Sequence, residues 1–421
     1  MNQDYTETRL DNGLVIGLQR TPTKTIAGRL RVKYGSLHER PQEGLAHFLE
    51  HCIVVGGTRK YSPEEVDKKL QLFINWNAST DFHKTEFPVH MLSEYLEDYL
   101  DLFSDIAFYP RLESRIVEEE RQRLLREISQ GKSSTSFKDN KIFYIAILGN
   151  NEHTYSGLRN EELVQNFTLE DLRLLHNKGY FVNNMDLILV GDLPDNIESL
   201  IAKYFSDKPT GEVKSLELPI LGPLEERTIL HVPFKEGYNQ DKPEESMARI
   251  NIGWRVPDGF SDYARDLMVL ANILGRDMHS RLMTELSRRR GLGYGINSVY
   301  MGGIKKGVGV FEIGTSIPSL RANEAIEVIF DQLELLHREE VSSEEVERVK
   351  RTLKGNYVSE QESNQGHVGV IERIIDYGLT PEIELEKMDK VTSKGIFEVA
   401  NHYAPSRNGN YVLINRDPLK D

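Results

Sequence analysis

The chain has 421 residues, of which 39% are hydrophobic and 28% are charged, a composition typical of a globular protein with two or more domains. The formal net charge of −14 argues against a nucleic-acid partner, because phosphate recognition needs clustered lysine and arginine, and it also disfavours an anionic membrane surface. No apolar run approaches the roughly 18 residues of a membrane span, so no membrane partner is expected.

The N-terminal residues have none of the features of a targeting segment. Residues 1–7 contain early acids and lack an apolar stretch, which argues against a secretory signal and against a transit peptide. The single cysteine, Cys52, is followed by Ile53 and Val54 and is predicted to be a small buried side chain. These features predict a cytoplasmic protein, although a mature chain that had lost its leader would look the same.

The first predicted elements are strands. Residues 6–10 and 14–18 flank Asp11–Gly13, a sequence that favours a tight hairpin turn. Residues 27–34 alternate basic and apolar side chains, as a half-buried strand does. A helix is predicted over residues 43–53, because this stretch has no proline and precedes two consecutive glycines.

The predicted helix contains an H-x-x-E-H motif formed by His47, Glu50 and His51. Two histidines four positions apart share one face of a helix, where both imidazoles can bind a single zinc ion. Glu50 lies between them on the same side and is placed to take a proton from a zinc-bound water. The alternative is a helix with two surface histidines and a solvated glutamate.

The next predicted elements lead to a charged helix. Ser62-Pro63-Glu64-Glu65 is typical of a capped helix start. Residues 73–80 and 84–90 are predicted strands, and residues 92–107 are a predicted amphipathic helix.

The charged helix after Pro110 holds the candidate for a third metal ligand. A catalytic zinc site has three protein ligands and one open position. Glu127 is the candidate, and Glu120 lies seven positions before it on the same helix face. The alternative for such a charged run is a solvated helix surface.

Together these motifs resemble those of the pitrilysin/insulinase zinc peptidases, the inverzincins. That family carries H-x-x-E-H in its first half, followed by a glutamate ligand in a helix of the form E-R-x-x-x-x-x-E. The resemblance implies that His47, His51 and Glu127 bind one zinc ion per chain. It also implies that Glu50 is the catalytic base and that Glu120 supports catalysis by orienting a zinc ligand or through the electrostatics of the site.

The short segment Asn77, Ala78, Ser79 and Thr80 also resembles the family. In relatives this strand offers its edge to an extended substrate peptide by β-augmentation. The resemblance therefore implies that the four residues bind substrate. The alternative is a polar edge strand.

A second copy of the first half is predicted to begin near Thr228. A helix cap at Thr168 and a buried strand at residues 187–191 are echoed by Thr392 and residues 410–414. The predicted fold class is therefore α+β, with two homologous α/β-sandwich halves. Each half is expected to have a mixed or antiparallel sheet with helices on one face.

The predicted domains follow from this repeat. They are an N-terminal peptidase domain at residues 1–210 with the zinc site, a linker at 211–226, and a C-terminal homologous domain at 227–421 without a metal site. The resemblance implies that the two halves together form half of a clamshell.

The stretch from Glu285 to Tyr294 resembles the family's second signature, in which an arginine and a tyrosine close over the zinc site. Tyr294 matches the tyrosine, but Ser287 occupies the position of the arginine. Arg288 and Arg290 are the nearby candidates for the arginine's role.

The predicted function is a zinc-dependent endopeptidase that cleaves peptides or unfolded segments inside a dimeric chamber. Relatives place four such domains in one long chain, so two halves imply a homodimer or a heterodimer with a related chain. One alternative is a heterodimer that needs its partner chain for activity. A second alternative is a non-catalytic assembly subunit, although such relatives typically lose the zinc ligands or the base.

Overall fold

The structure is a computed structural model that divides into two compact units. It describes residues 5–39, 42, 44–133, 135–149, 161–213, 221–232, 246–293, 295–305 and 307–416. Unit 1 comprises residues 1–137, 155–217 and 358–380, and unit 2 comprises residues 138–154, 218–357 and 381–421. Each unit takes in a segment from the other half of the chain, which the prediction of two continuous domains did not include.

Unit 1 contains seven strands and eight α-helices among the residues that the structure describes. The strands are β1 (Tyr5–Arg9), β2 (Val15–Arg20), β3 (Thr25–Val32), β4 (Asn75–Trp76), β5 (Ser79–Thr80), β6 (Thr85–Leu92) and β7 (Met185–Gly191). The helices are α1 (Leu45–Val55), α2 (Pro63–Leu70), α3 (Leu96–Phe108), α4 (Ser114–Ser133), α6 (Glu161–Asn166), α7 (Leu169–Gly179), α8 (Ile197–Phe205) and α12 (Asn364–Tyr377).

The strands of unit 1 form one sheet in the order β1-β2-β7-β3-β6-β4, with β5 also paired to β6. β1 and β2 form the predicted antiparallel hairpin, and β2 and β7 are parallel. The other neighbouring strands are antiparallel. β4 and β5 therefore lie along one edge of this sheet.

Two predicted elements of unit 1 differ from the structure. The strand predicted at residues 73–80 is split into β4 and β5, because Pro88 lies opposite the gap and has no N–H for the ladder; its carbonyl still accepts a hydrogen bond from Asn77 N–H at 3.0 Å. The helix predicted from Leu92 begins at Leu96, because Leu92 is the last residue of β6.

Unit 2 contains five strands, six α-helices and one π-helical segment among the residues that the structure describes. The strands are β8 (Thr228–His231), β9 (Met247–Val256), β10 (Asn297–Lys305), β11 (Val308–Pro318) and β12 (Val412–Arg416). The α-helices are α5 (Thr135–Leu148), α9 (Ala264–Gly275), α10 (Ala322–Arg338), α11 (Ser343–Glu360), α13 (Pro381–Asp389) and α14 (Ser393–Tyr403). The π-helical segment is Met283–Arg289.

The two sheets share one topology, which confirms the predicted α+β repeat. The sheet of unit 2 has the order β8-β12-β9-β11-β10, which matches β2-β7-β3-β6 and the edge strands of unit 1. β8 and β12 are parallel, as β2 and β7 are. In both halves a threonine caps the helix that precedes the central strand, Thr168 for α7 and Thr392 for α14.

Helices cover both faces of each sheet, whereas the sequence predicted helices on one face. Leu187 and Leu189 of β7 point into the main core of unit 1, and Ile188 and Val190 point to the opposite face, where Ile371 of α12 packs. In unit 2, α5 packs in the same way against β11 and β12. The helix that covers the second face comes from the other half of the chain in both cases.

Glycines in the sheets allow these two helices to approach closely. A Cβ on Gly17 of β2 would lie 2.6 Å from the Ile371 side chain, and a Cβ on Gly253 of β9 would meet the Phe143 ring of α5. Such distances are too short for real carbon contacts, so a larger residue at either position would require the facing side chain or its helix to shift. Of the helices that the structure describes, none combines the length and the hydropathy needed to cross a bilayer.

A buried ion-pair cluster also fixes α12 to the sheet of unit 1. Arg31 of β3 is 1% exposed and donates to Asp186 at 2.6 Å, to Asp376 at 2.7 Å and to Glu372 at 3.0 Å. Glu372 also accepts from Arg29 at 2.5 Å. A buried arginine of this kind is strongly destabilising when its acidic partners are removed.

Glu372→Gln is therefore expected to lower the free energy of unfolding at pH 7 by about 2 kcal/mol. Burial acts to raise the pKa of the Glu372 carboxyl, but the charges of Arg29, Lys84 and Arg31 outweigh it and hold that pKa below its usual range. The contribution of Glu372 is thus complete above the unfolded-state pKa, and it is lost as the pH falls through the lowered folded-state pKa.

Urea unfolding of both proteins from pH 7 to pH 3 measures this difference. The difference in free energy of unfolding between wild type and Glu372→Gln should become smaller as the pH falls. The exposed Glu94 supplies a control, and Glu94→Gln should change the free energy of unfolding little at any pH. A gap that grows on acidification would contradict the role given to Glu372.

Candidate active site

Helix α1 carries the H-x-x-E-H motif and is held by its other face. Phe48, Leu49 and Cys52 are fully buried in the core of unit 1. Burial raises the pKa of the Cys52 thiol, so the cysteine is a packed side chain and not a nucleophile, as predicted. His47 and His51 are left on the side of the helix that faces the cleft.

The start of α1 is fixed by a glycine and a carboxylate. Gly44 precedes the helix with φ at +97°, a left-handed conformation that glycine adopts at little cost. The Glu39 carboxylate accepts hydrogen bonds from the N–H groups of Gly44 and Ala46, both at 2.5 Å. A carboxylate at this end of a helix is favoured by the exposed N–H groups there, and it orients the motif.

Helix α4 brings the two predicted glutamates to the histidines. The Nε2 atoms of His47 and His51 are 3.3 Å apart, and Glu127 Oε2 lies 3.5 Å from His51 Nε2. On the other side of the same ring, Glu120 Oε2 lies 3.3 Å from His51 Nδ1. Glu127 is 40% exposed and Glu120 only 5%, so the first faces the open side of the site and the second lies behind the ring.

These distances fit a zinc ion. His47, His51 and Glu127 each offer one ligand atom, and the three atoms lie within 4.8 Å of one another. Tetrahedral ligands that lie about 2.0–2.1 Å from zinc are about 3.3 Å from each other. The two histidine Nε2 atoms are 3.3 Å apart, and Glu127 Oε2 is 3.5 Å from His51 Nε2. Two imidazoles and one carboxylate are also a ligand set that zinc accepts in catalytic sites.

Glu50 is held beside this group by the edge strand. The residue is 6% exposed, and its Oε2 accepts a hydrogen bond from the Thr80 hydroxyl at 2.7 Å. Thr80 Oγ1 is 3.2 Å from Thr85 Oγ1, and the Thr85 hydroxyl donates to the carbonyl oxygen of Tyr34 at 3.0 Å. Each hydroxyl has one proton to donate, so Thr80 donates to Glu50 and Thr85 to Tyr34, and the bond from Thr80 holds the Glu50 carboxylate between α1 and the sheet.

An open cleft of about 390 Å³ joins the histidines to the predicted substrate strand. Asn77, Ala78, Ser79 and Thr80 form one wall of it. Arg123 of α4 also lines the cleft, and its guanidinium is 3.5 Å from Glu120. The metal-ligating group and the edge of the sheet therefore open into the same space.

The residues predicted from the second signature lie in unit 2. Ser287 and Arg288 belong to the π-helical segment, and Arg288 is exposed. Arg290 donates to the Glu285 carboxylate at 2.5 Å, so its guanidinium is already engaged locally. Tyr294 lies outside the residues that the structure describes.

Family models match two parts of the chain. The model described as Insulinase (Peptidase family M16) matches residues 14–142, and the model described as Peptidase M16 inactive domain matches residues 166–353. The chain belongs to peptidase family M16. The first match contains the whole candidate site, and the name of the second agrees with a unit in which the described residues hold no group of three metal-ligating side chains.

Relatives and solved structures agree with this membership. The chain is 26% identical over 355 residues to YmxG of Bacillus subtilis, named an uncharacterized zinc protease, and the match covers 84% of this chain and 83% of YmxG. Its fold is similar to that of a protease from Helicobacter pylori, with a TM-score of 0.85 at 22% identity over 98% of this chain and 99% of that one. The periplasmic protease PqqL of Escherichia coli is also similar, with a TM-score of 0.81 at 18% identity, but the match covers 99% of this chain and 48% of PqqL.

Several residues of the cleft were not predicted from the sequence. Arg123, Val54, Val55 and Trp76 line it, and the Thr80 hydroxyl contacts the Glu50 carboxylate. Ile74 and Trp76, two large apolar residues, flank Asn75 just before the predicted substrate strand. This pattern was the sequence feature that could have indicated an apolar residue in the cleft. The spacing of residues in the sequence could not indicate the contact between Thr80 and Glu50, because that contact depends on how the strand lies against α1.

Proposed function

We propose that this chain is a zinc-dependent endopeptidase of family M16 that hydrolyses peptides or unfolded segments. The observation that carries the proposal is the convergence of His47, His51 and Glu127 beside Glu50, in a cleft bounded by a sheet edge. One zinc ion per chain would be held by the two imidazoles and the Glu127 carboxylate. When bound there, zinc would supply Lewis acidity to the scissile carbonyl and to the attacking water.

Glu50 is the proposed general base. Its carboxylate stands apart from the three candidate ligand atoms and is oriented by the Thr80 hydroxyl. It would accept the proton of the attacking water and later deliver it to the amine of the departing peptide. Its low exposure keeps bulk water from competing for that proton.

The edge formed by β4 and β5 is the proposed binding surface for the substrate backbone. An extended peptide that paired with this edge would use main-chain hydrogen bonds for affinity, which tolerates many sequences. Because Thr80 contacts Glu50, a peptide bound along Asn77–Thr80 would bring its backbone next to the base. Folded domains would lack the extended segment that this mode needs.

The test of this function is peptide hydrolysis by the purified full chain. Unstructured quenched-fluorescence peptides should be cleaved at internal bonds, and 1,10-phenanthroline should stop the cleavage. Mass spectrometry of the products distinguishes internal cleavage from trimming at the ends. Efficient cleavage of a folded protein, or cleavage that persists in chelator, would contradict the proposal.

Glu120→Ala is expected to lower kcat/KM about 10- to 100-fold and to weaken zinc binding less than activity. All three ligand atoms remain, but His51 Nδ1 loses the carboxylate that orients its ring. Steady-state kinetics and chelator competition measure the two effects. The matched control is Glu119→Ala, an exposed neighbour paired with Arg115; loss of all zinc in Glu120→Ala would instead make Glu120 a ligand.

We also propose that two chains cooperate in one chamber. PqqL is about twice as long as the region that this chain matches, and only unit 1 holds a metal-ligating group among the described residues. Ser287 at the position of the family's arginine favours a second arrangement, in which a different chain supplies the arginine. Peptidase activity and native mass, measured on the same preparation, distinguish two copies of this chain from a pair with a different chain. A fully active monomer would contradict both arrangements.

A further inference from the structure

Three large apolar residues are exposed between the end of α2 and the end of β4 in unit 1. Leu72 is 37% exposed, Ile74 is 54% exposed and Trp76 is 37% exposed. Phe73, which lies between the first two, is buried in the core. Leu72 lies in the turn that follows α2, where its N–H donates to the Lys69 carbonyl oxygen at 3.1 Å, and Trp76 ends β4. We call the three exposed side chains the apolar stripe.

The apolar stripe is continuous with the metal cleft. Trp76 belongs to β4 and pairs with Val89 of β6, and it also lines the cleft that contains His47 and Glu50. Ile74 N–H donates to the carbonyl oxygen of His90 in the same strand, at 2.9 Å. Ile74 and Trp76 are therefore both exposed at this edge of the sheet.

The spacing along the edge sets the distance from the reaction site. Thr80, four positions after Trp76, contacts the proposed base Glu50. An extended chain rises about 3.3 Å per residue, so the Trp76 side chain lies roughly four residues along the edge from that contact. A peptide paired with the edge would therefore place a side chain against Trp76 about four residues from its scissile bond, and Ile74 lies just beyond Trp76 at the same edge.

We propose that Ile74 and Trp76 select substrates with large apolar side chains at these positions. The inference rests on the proposed peptidase function and names the substrate class of that site, which is extended peptide segments with large apolar residues about four residues from the scissile bond and beyond. The occupant is the substrate, because the stripe leads directly into the cleft. Main-chain pairing alone would bind any extended sequence, and the stripe adds a preference for apolar ones.

A binding measurement tests this without turnover. The chain has two tryptophans, and Trp254 is only 2% exposed, so Trp76 dominates any change in emission on binding. The probes are two peptides in the full-length Glu50→Gln protein, one with leucine at alternating positions and its counterpart with serine there. The leucine peptide should shift the Trp76 emission to shorter wavelength and bind about ten-fold more tightly than the serine peptide.

Variants sharpen this binding test. Ile74→Ser should remove most of the preference for leucine, and Leu174→Ser, an exposed leucine of α7 outside the cleft, should keep it. Trp254→Phe should leave the emission change in place; if that variant does not fold, the emission lost in Trp76→Phe identifies the reporter. Equal binding of both peptides, or tight binding with no change in Trp76 emission, would overturn the inference. An emission shift that followed protein concentration instead of peptide would overturn it as well, since a second copy would then cover the stripe.

Kinetics separate this inference from the function beneath it. Wild type should cleave leucine peptides with a kcat/KM about ten-fold above that for serine peptides, and Trp76→Ser should lose this discrimination while still cleaving both. Cleavage without discrimination by wild type overturns the inference and leaves the peptidase in place. Tight, selective binding in Glu50→Gln without any cleavage by wild type, alone or with a partner chain, upholds the stripe and overturns the peptidase.

Discussion

Glu50→Gln is expected to reduce peptide hydrolysis by about 10²- to 10⁴-fold while the protein keeps its zinc. Glutamine has nearly the same shape, and its amide can still meet the Thr80 hydroxyl that contacts Glu50 at 2.7 Å. It cannot accept the proton of the attacking water. The three atoms assigned to the metal belong to other residues, so zinc content should not change.

Kinetics and metal analysis of the same preparation measure both halves of this result. Glu119→Gln on α4 is the control, because Glu119 is an exposed glutamate of the same unit that lies outside the cleft. It should keep full activity and full zinc. Full activity in Glu50→Gln, or loss of its zinc, would mean that Glu50 is not the base.

Glu127→Ala is expected to lose most of the zinc and essentially all of the activity. A catalytic zinc site is normally held by three protein ligands, and this change leaves only the imidazoles of His47 and His51. The Glu127 side chain is 40% exposed at the cleft, so its removal should open no cavity in the core. The loss of metal should therefore occur in a folded protein.

Zinc affinity by chelator competition, with a thermal melt of the metal-free proteins, measures this second result. The melting temperature of metal-free Glu127→Ala should be close to that of metal-free wild type. Glu118→Ala, on the exposed side of the same helix, should keep its zinc. Tightly held zinc in Glu127→Ala would assign the third ligand to another residue.

The local part of the site could be predicted from the sequence. The spacing of His47, Glu50 and His51 fixes their common helix face whatever surrounds them. Glu120 and Glu127 share a face of α4 for the same reason. That the two helices meet came only from the resemblance to known peptidases. In the structure Glu127 Oε2 lies 3.5 Å from His51 Nε2.

The sequence could not predict that α5, from the first half of the chain, packs on the sheet of unit 2, or that α12, from the second half, packs on the sheet of unit 1. Both helices carry apolar residues that pack on a sheet, and the sequence does not say which sheet they cover. The choice depends on long-range partners, such as Arg31 with Glu372 and the close approach of Ile371 to Gly17. The break at residues 77 and 78 was missed in the same way, because it depends on Pro88 in the opposing strand.

The most direct test of the zinc centre is the zinc-to-protein ratio of full-length wild type, Glu50→Gln and Glu127→Ala, purified in parallel without chelator and assayed for peptide cleavage. We expect about one zinc ion per chain in wild type and in Glu50→Gln, and far less in Glu127→Ala. Of the three proteins, only wild type should cleave peptides, alone or with its partner chain. Wild type that binds no zinc, or that cleaves equally well after zinc removal, would contradict the metal centre assigned to His47, His51 and Glu127.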